Sequence, residues 1–461
     1  MAFLDRVDSG GIELHSVFVV RHGHVVAEGW WRPYAKEKPH VLYSLTKSFT
    51  GTAVGLAWAE GLLDLDAPAL SFFPEEDTAS ARANVGPVTV RHLLMLATGH
   101  VSETMPGRVP GGGERWAVHR FFEIPIEREP GRHFFYNNGA SHLLAAIVQR
   151  VTGQPVFDYL TPRLFEPLGI TEGTWDRSRE GINLGAGNEV KVTTEDIAAL
   201  GQLYLDRGRW NGRVILPANW VAAASRCQVE TVNERHDEWG RGYGYQFWRS
   251  RHGAYRADGA YGQICFIIPE KDAVVAITAG NRDERPIYDA VWETLWPAFH
   301  DDPTTASASD EAALRERLAH LKVAELEPSG VPPEAFGATW PRRFVMEPPD
   351  QPAMTLAIEG DGATELALHV EGAHGAWQVR CGTDAALPNP PVPRLLWGGR
   401  PEPVAVRAVW VTPDTLEIWM RCDETALAEC LRLAFGAGRV SASFRTNLWP
   451  EDVDCATRLV T

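Results

Sequence analysis

The sequence predicts a mixed α/β protein with two parts. The first is an antiparallel sheet flanked by helices, with a helical subdomain inserted in the middle of the chain. The second is a C-terminal antiparallel β barrel or sandwich. Strand-like runs occur near both ends of the first 300 residues and helix-like runs fill the middle, whereas short β-like runs separated by turns follow residue 340. Because both ends of the first part supply strands, one antiparallel sheet with the helices packed on it accounts for the pattern.

The first part opens with a hairpin and a buried helix. Apolar runs at 17–20 and 25–30 flank a polar turn, which is the pattern of a β-hairpin. The stretch 42–63 is rich in Ala, Leu and Gly and lacks proline, so it predicts a buried helix that begins near Ser44 and ends at Gly61. We expect further helices at 89–97, 140–151, 194–206, 217–224 and 286–299, a surface excursion at 99–132, and strands at 253–257, 263–268 and 273–279.

The remainder of the chain reads as a separate unit. A polar Ala/Ser-rich linker is expected at 301–309 and a helix at 310–324. Short β-like runs follow at 354–358, 364–370, 377–381, 404–411, 415–420, 430–435 and 440–444. Their spacing fits a barrel or sandwich of about 7–8 strands. The predicted divisions are therefore a first domain at 1–300, a linker and helix at 301–324, and a β-rich domain of unassigned role at 325–461.

Composition and charge exclude several classes of protein. The 461 residues are 44% hydrophobic and 23% charged, as in an ordinary globular protein. A net charge of −16 argues against binding to nucleic acid or to an anionic membrane. No uncharged apolar run is long enough for a membrane helix, and Asp5 and Asp8 lie where a secretion signal would be apolar, so we expect a cytoplasmic protein. The six cysteines form no C-x-x-C pair, so no metal is expected, although one disulfide among the four after residue 380 stays open.

Ser44 and Lys47 open the first apolar helix with the spacing Ser-x-x-Lys. Residues three apart share a helix face, so the hydroxyl and the amine can meet. A serine becomes a good nucleophile when a base takes its proton; lysine can do so when its pKa is lowered, whereas arginine keeps its proton. Only six of the 44 basic residues are lysines, so a lysine in an apolar helix is unusual for this chain. The alternative is a capping serine beside a lysine that reaches solvent.

The sequence around this pair resembles the serine β-lactamase and penicillin-binding-protein superfamily, in its class C-like branch. That branch includes esterases, D-aminopeptidases and 6-aminohexanoate-dimer hydrolases. The resemblance rests on three pieces in family order: Tyr-Ser-Leu-Thr-Lys-Ser-Phe-Thr-Gly at 43–51, Glu-Gly-Leu-Leu-Asp-Leu-Asp-Ala-Pro at 60–68, and Val-Thr-Val-Arg-His-Leu-Leu-Met-Leu-Ala-Thr-Gly at 88–99. It extends to about residue 280 and implies a β-lactamase-like fold for the first part.

The family's second motif, Tyr-x-Asn, is present as Tyr136-Asn137-Asn138. A tyrosine beside an ammonium group can carry a lowered pKa and pass a proton between the serine and the leaving group. The resemblance implies that Tyr136 is the proton shuttle and that Asn138 orients the lysine or a substrate amide. The alternative is an aromatic core cluster followed by a turn.

The third motif departs from the family pattern. Where the family has Lys or His, then Thr or Ser, then Gly, this chain has Ala257-Asp258-Gly259. The missing cation argues against an efficient β-lactamase or D,D-carboxypeptidase, and Asp258 suggests a neutral or amine-bearing substrate, unless it is a solvated turn residue. The oxyanion hole should survive, because it uses the backbone N–H groups of Ser44 and Ala260.

The sequence therefore predicts a cofactor-free serine hydrolase that cleaves an ester or amide of a small molecule through an acyl-enzyme on Ser44. A sensor that is acylated without turnover, or a β-lactamase or D-aminopeptidase, stays open as an alternative, and so does a homodimer. Four tryptophans are candidates for the lining of an acyl pocket, with packing as the simpler alternative: Trp30, Trp31, Trp239 and Trp248.

Overall fold

A computed structural model describes residues 1–105, 115–178, 181–186, 190–232, 237–300, 307–324, 343–349, 351–360, 365–395, 398–436 and 438–460. These residues build two large antiparallel sheets, one of six strands and one of ten, each with its own apolar core. Most of the helices belong to the first part of the chain.

The helices are α1 (Ala2–Ser9), α2 (Thr46–Ala59), α3 (Ala79–Val85), α4 (Val90–Leu94), α5 (Arg115–Glu123), α6 (Asn138–Thr152), α7 (Val156–Leu160), α8 (Glu166–Leu168), α9 (Thr194–Leu205), α10 (Ala218–Ser225), α11 (Arg285–Ala290) and α12 (Ala308–Ala319). The strands of the first part are β1 (Leu14–Arg21), β2 (His24–Trp30), β3 (His40–Val41), β4 (Thr174–Trp175), β5 (Val190–Val192), β6 (Arg209–Trp210), β7 (Arg213–Val214), β8 (Trp248–Arg249), β9 (Tyr255–Gly259), β10 (Gln263–Ile268) and β11 (Ala273–Ala279). Those of the second part are β12 (Arg343–Glu347), β13 (Met354–Gly360), β14 (Glu365–Gly372), β15 (Gly375–Gly382), β16 (Leu387–Arg394), β17 (Gly398–Thr412), β18 (Thr415–Cys422), β19 (Ala428–Gly436), β20 (Arg439–Thr446) and β21 (Val453–Leu459).

The six-stranded sheet joins strands from both ends of the first part. Its order is β2-β1-β11-β10-β9-β8, and every neighbouring pair is antiparallel. Alternate side chains point to opposite faces. Phe18, Val20 and Ile267 therefore join a core with α2, α6 and α9, whereas Val19 and Phe266 join a second core with α1 and α11. This confirms the predicted arrangement of one antiparallel sheet flanked by helices.

Some element boundaries differ from the predictions. The excursion at 99–132 contains the short helix α5, and its residues 106–114 lie outside the described part of the chain. The predicted helix at 286–299 is α11 followed by a π-turn and a 3₁₀ turn. Ser44 lies in a 3₁₀ turn, Tyr43–Leu45, and α2 begins only at Thr46. Most of the predicted linker at 301–309 is not described.

The second sheet closes into a barrel of nine strands. A parallel pairing of Gly382 with Arg407 joins β15 to β17 and completes the ring, and β16 pairs with β17 beside it. The predicted count of 7–8 strands was too low, because β12, β16 and β21 were not recognised. Strand β16 reads Leu-Pro-Asn-Pro-Pro-Val-Pro-Arg, and prolines, which have no N–H to donate, are ordinarily a signal against a strand. It is tolerated because it lies at the end of the strand order.

The barrel packs against the end of the first part that carries Ser44. The backbone N–H of Val41 donates to the Glu424 carbonyl at 2.8 Å, and the Tyr34 hydroxyl donates to the Thr425 carbonyl at 3.2 Å. All six cysteines are free thiols, so the disulfide left open above is absent. Within the described ranges, no helix is long and apolar enough to cross a bilayer.

Candidate active site

The structure brings Ser44 and Lys47 into direct contact. The Lys47 amine donates to the Ser44 Oγ at 2.9 Å. Ser44 lies in the turn before α2 and Lys47 in the first turn of the helix, so the short spacing fixes both ends of this hydrogen bond. The Lys47 side chain is buried, with only 2% of the residue exposed. The amine is therefore held at the hydroxyl and away from water.

Two further oxygens hold the Lys47 amine in place. It donates to Oδ1 of Asn138 at 2.8 Å and to the main-chain carbonyl of Ala186. Asn138 is the first residue of α6, which packs against α2, so the crossing of these two helices brings the amide to the amine. The Ser44 Oγ lies 3.5 Å from the same Ala186 carbonyl. All these acceptors are neutral, and together they aim the amine at the hydroxyl.

Tyr136 completes the cluster from the other side. Its phenol is hydrogen-bonded to the Ser44 side chain, and its ring centre lies 4.8 Å from the Lys47 amine. The ring stacks nearly parallel on Trp248, with centroids 6.0 Å apart and planes at 11°. Burial raises the pKa of Tyr136, and the nearby carboxylates, Asp258 first among them, raise it further. The sequence-based expectation of a lowered pKa was wrong, because it counted the neighbouring amine and not the burial.

Gly259 allows strand β9 to lie close to the 3₁₀ turn Tyr43–Leu45, which carries Ser44. A Cβ atom at this position would collide with the Leu42 carbonyl and with the backbone nitrogen of Leu45. A side chain is therefore excluded there, and the backbones of β9 and the turn lie in contact. The next residue, Ala260, follows directly on this contact, and its N–H is the second donor that the sequence predicts for the oxyanion hole.

Asp258 does not face the site as an unpaired acid. Its Oδ2 accepts from Nε of Arg256 at 2.6 Å and from the Tyr288 hydroxyl at 2.9 Å. The Arg256 side chain is fully buried and also contacts Glu238 at 3.2 Å. The carboxylate is thus neither a solvated turn residue nor an open anchor for an amine. Its charge is balanced by Arg256, so the argument for an amine-bearing substrate does not hold at this position.

Glu103 is a site residue that the sequence analysis missed. Its Oε2 accepts from the backbone N–H of Asn138 at 3.0 Å and from the Asn138 side-chain amide at 2.8 Å, and its Oε1 accepts from the Gly139 N–H at 3.2 Å. The carboxylate thereby caps the positive end of α6 and turns the amide oxygen towards Lys47. No sequence signal marks Glu103, because it precedes Asn138 by 35 residues in an irregular segment.

Of the four tryptophans considered above, only Trp248 contacts a site residue through its ring. Trp30 packs edge-on against Phe18, Trp31 lies in the core beneath the sheet, and Trp239 packs edge-on against Tyr288. Packing is thus the role of the other three. Nowhere in the described ranges do three or more His, Cys, Asp or Glu side chains gather as metal ligands would.

Comparison with known proteins gives one family match and several relatives. Residues 3–295 match the Beta-lactamase family. The 6-aminohexanoate-dimer hydrolase of Paenarthrobacter ureafaciens is 26% identical over 279 residues, which are 56% of this chain and 70% of that protein. Esterase EstB of Burkholderia gladioli is 28% identical over 180 residues, 33% of this chain and 45% of that protein. Both matches cover only part of this chain.

A solved structure resembles both parts together. The octameric penicillin-binding protein homologue from Pyrococcus abyssi aligns with a TM-score of 0.52 at 17% identity, covering 98% of each chain. At this identity the likeness concerns the fold alone. The combination of a β-lactamase-like part with a C-terminal barrel is therefore shared with another protein.

Proposed function

The chain belongs to the β-lactamase family, and from this premise we propose that it is a serine hydrolase that cleaves an ester or amide bond of a small molecule through an acyl-enzyme on Ser44. The observation that carries the proposal is the 2.9 Å hydrogen bond between the Lys47 amine and the Ser44 Oγ in a buried setting. The names of two relatives, an esterase and a 6-aminohexanoate-dimer hydrolase, support hydrolysis as the reaction class.

The first step is attack on the substrate carbonyl. Lys47, in its neutral form, takes the proton from Ser44 as the Oγ bonds to the carbonyl carbon. The carbonyl oxygen gains negative charge and is stabilised by the peptide N–H groups of Ser44 and Ala260. Both donors belong to the backbone, so the altered third motif does not weaken them.

The second step is loss of the leaving group. A leaving alkoxide or amide nitrogen needs a proton, and the raised pKa of Tyr136 keeps its phenol protonated and able to donate. The proton held by Lys47 then replaces the one that Tyr136 has given. Water attacks the acyl-enzyme by the reverse use of the same groups, which releases the acid and restores Ser44.

The test combines intact-protein mass with product release. Purified full-length chain is mixed with p-nitrophenyl acetate, and Ser44→Ala is measured beside it. We expect steady release of p-nitrophenol by the wild type, a transient mass increase of one acetyl group, and loss of both in Ser44→Ala.

Two other outcomes change the assignment. A stable acetyl adduct without turnover replaces the hydrolase with a sensor that is acylated and does not deacylate. Equal release by the wild type and by Ser44→Ala removes Ser44 as nucleophile and the mechanism with it.

A further inference from the structure

Buried barrel side chains lie directly beside the nucleophile turn. Leu427 and Leu448 form an apolar cluster with Tyr43 and Tyr261. The phenol of Tyr43 is also hydrogen-bonded to the main chain at Ala426. Since Tyr43 immediately precedes the nucleophile in sequence, the barrel closes one side of the candidate active site. The barrel is therefore packed against the candidate active site.

Three aromatic rings run outward from this side. Tyr43 and Tyr261 meet edge to face with centroids 5.0 Å apart, and Tyr261 meets Trp449 edge to face at 6.2 Å. We call Tyr43, Tyr261 and Trp449 the aromatic wall. Tyr261 directly follows Ala260, the second oxyanion donor, so the wall begins beside the oxyanion hole. It ends on the barrel surface, where 47% of Trp449 is exposed.

Trp449 is exposed, but the backbone turn that carries it is fixed by hydrogen bonds. Its backbone N–H donates to Oγ1 of Thr446 at 2.9 Å, and the Thr446 N–H donates back to the Trp449 carbonyl at 3.0 Å. The side-chain amide of Asn447 donates to the carbonyl of Ala426 at 2.9 Å and to that of Gly280 at 3.3 Å, which fixes this turn to the first part. An indole carried on a turn fixed in this way, in contact with Tyr261 and with about half its surface in water, is what a preformed apolar subsite presents before its ligand arrives.

The position of the wall decides which part of the substrate it meets. The leaving group must lie beside Tyr136 and Lys47, because it receives its proton there. The carbonyl oxygen occupies the oxyanion hole. The remaining substituent of the carbonyl carbon is the acyl chain, which must extend away from the proton-transfer groups. The wall contains Tyr43, which precedes Ser44, and Tyr261, which follows Ala260, and its rings are in contact with each other and with the barrel. Tyr136 instead stacks on Trp248, and Lys47 is held by Asn138. The wall therefore borders both oxyanion donors with an aromatic and apolar surface.

We propose that the aromatic wall is a subsite for an apolar acyl group, with Trp449 supplied by the barrel as its outer contact. The substrate class is thus an ester or amide of a medium-length aliphatic or aromatic acid. This inference rests on the proposed hydrolase function, since it takes Ser44 as the point of attack. Glu451, two positions after Trp449, forms an exposed ion pair with Arg282 at 3.5 Å. Charged side chains therefore border this edge of the aromatic wall.

The test measures chain-length preference in the full-length protein. Values of kcat/KM are determined for p-nitrophenyl acetate, butanoate and hexanoate with the wild type, Trp449→Ala and the matched control Trp210→Ala. Trp210 is a half-buried tryptophan of the hairpin β6–β7, outside the wall. We expect the ratio of hexanoate to acetate to fall about tenfold in Trp449→Ala, because the outer chain carbons lose their apolar contact. The control should keep the wild-type ratio.

A binding measurement separates this inference from the hydrolase function. Calorimetry records the affinity of Ser44→Ala, with and without Trp449→Ala, for acetanilide and hexananilide. Tighter binding of hexananilide that is lost with Trp449 supports the subsite even if the wild type turns over no ester, in which case only the function falls. An unchanged hexanoate-to-acetate ratio in an active Trp449→Ala enzyme overturns the subsite and leaves the function standing. A change in assembly state with no change in ratio also overturns it, since Trp449 would then serve a contact between copies.

Discussion

Two buried basic side chains lie near Tyr136, and the partners described for them differ. The Lys47 amine lies over the Tyr136 ring and is fixed by Ser44, Asn138 and a main-chain carbonyl, which are neutral oxygens. The Arg256 guanidinium lies over Trp248, which stacks on Tyr136, and it is fixed by the carboxylates of Asp258 and Glu238.

The difference between the two cations concerns the proton. A carboxylate partner stabilises the charged form of a base and so holds its proton, whereas neutral acceptors give the charged form much less support in a buried setting. Arginine also keeps its proton at any physiological pH. In the proposed mechanism, proton transfer therefore belongs to the Lys47 side. The Arg256 side is suited to balancing charge behind the oxyanion loop, and it explains why an aspartate is tolerated in the third motif.

Replacing Lys47 with arginine tests the difference between the two side chains most directly. Lys47→Arg keeps a cation beside Ser44 but removes a base that can accept the serine proton. We expect kcat/KM for p-nitrophenyl acetate to fall by about 10²–10⁴-fold. Lys36→Arg, at an exposed lysine paired with Glu28, is the matched control and should keep the wild-type rate. Wild-type activity in Lys47→Arg would show that both cations serve only to balance charge.

Removal of the charge of Arg256 tests the other half of the comparison. Arg256→Met leaves the buried carboxylate of Asp258 without its cation, whereas Glu238 keeps its ion pair with Arg251 at 2.9 Å. We expect a loss of about 3–5 kcal/mol in the free energy of unfolding. Urea denaturation followed by fluorescence measures it. Arg285→Met, which removes an exposed pair with Asp283, should leave the midpoint almost unchanged. An equally small effect at Arg256 would contradict the charge-balancing role.

The carboxyl group of Glu284, which accepts a hydrogen bond from the Tyr261 N–H, predicts a pH dependence of stability. Burial, together with the charge of Asp258, raises the pKa of Glu284 to about 8, although the Tyr261 N–H and Arg256 oppose the shift. Between its ordinary value of 4.5 and about 8, the carboxyl holds a proton only in the folded chain, so unfolding releases it. The stabilisation is complete below pH 4.5 and is lost as the pH rises through about 8.

The measurement is the urea midpoint at pH 5–9 in the wild type and in Glu284→Gln. The wild type should lose stability with rising pH more steeply than the variant, by at most about 1.4 kcal/mol per pH unit. Glu270→Gln, at an exposed glutamate in the turn before β11, is the matched control and should follow the wild-type curve. Parallel curves for the wild type and Glu284→Gln would show that Glu284 is ionised in the folded chain throughout this range.

The smallest expected effect is at Glu103, which holds Asn138, a hydrogen-bond partner of Lys47. Glu103→Gln keeps one oxygen but loses the charge that caps α6, and we expect kcat to fall about tenfold with little change in KM. Steady-state kinetics with p-nitrophenyl acetate measures both. Glu129→Gln, at an exposed glutamate, is the control. A change confined to KM would place Glu103 at the substrate and not behind the amine.

Much of the first part was predictable because its signals are local. The hairpin of β1 and β2, the strands β10 and β11 and the cap of α4 at Thr89 follow from alternation of apolar residues, turn residues and a capping threonine. The contact of Ser44 with Lys47 is also local, since they are only three positions apart in the chain. The strand number of the barrel was not predictable, because β16 is kept by its pairing with β17 in spite of its prolines.

The sequence by itself determined the family, the single antiparallel sheet built from both ends of the first part, and which serine and lysine meet. These depend on residues that are neighbours in the chain or on patterns that repeat along it. Only the tertiary structure decided that Asp258 is neutralised by Arg256, that the pKa of Tyr136 is raised, that Glu103 caps α6 and that the barrel brings Trp449 to the oxyanion side. Each of these depends on burial or on a partner that the fold brings in from outside the motif. Glu103, Trp449 and the carboxylates near Tyr136 lie on elements other than those they act on. No local sequence pattern therefore predicts these contacts.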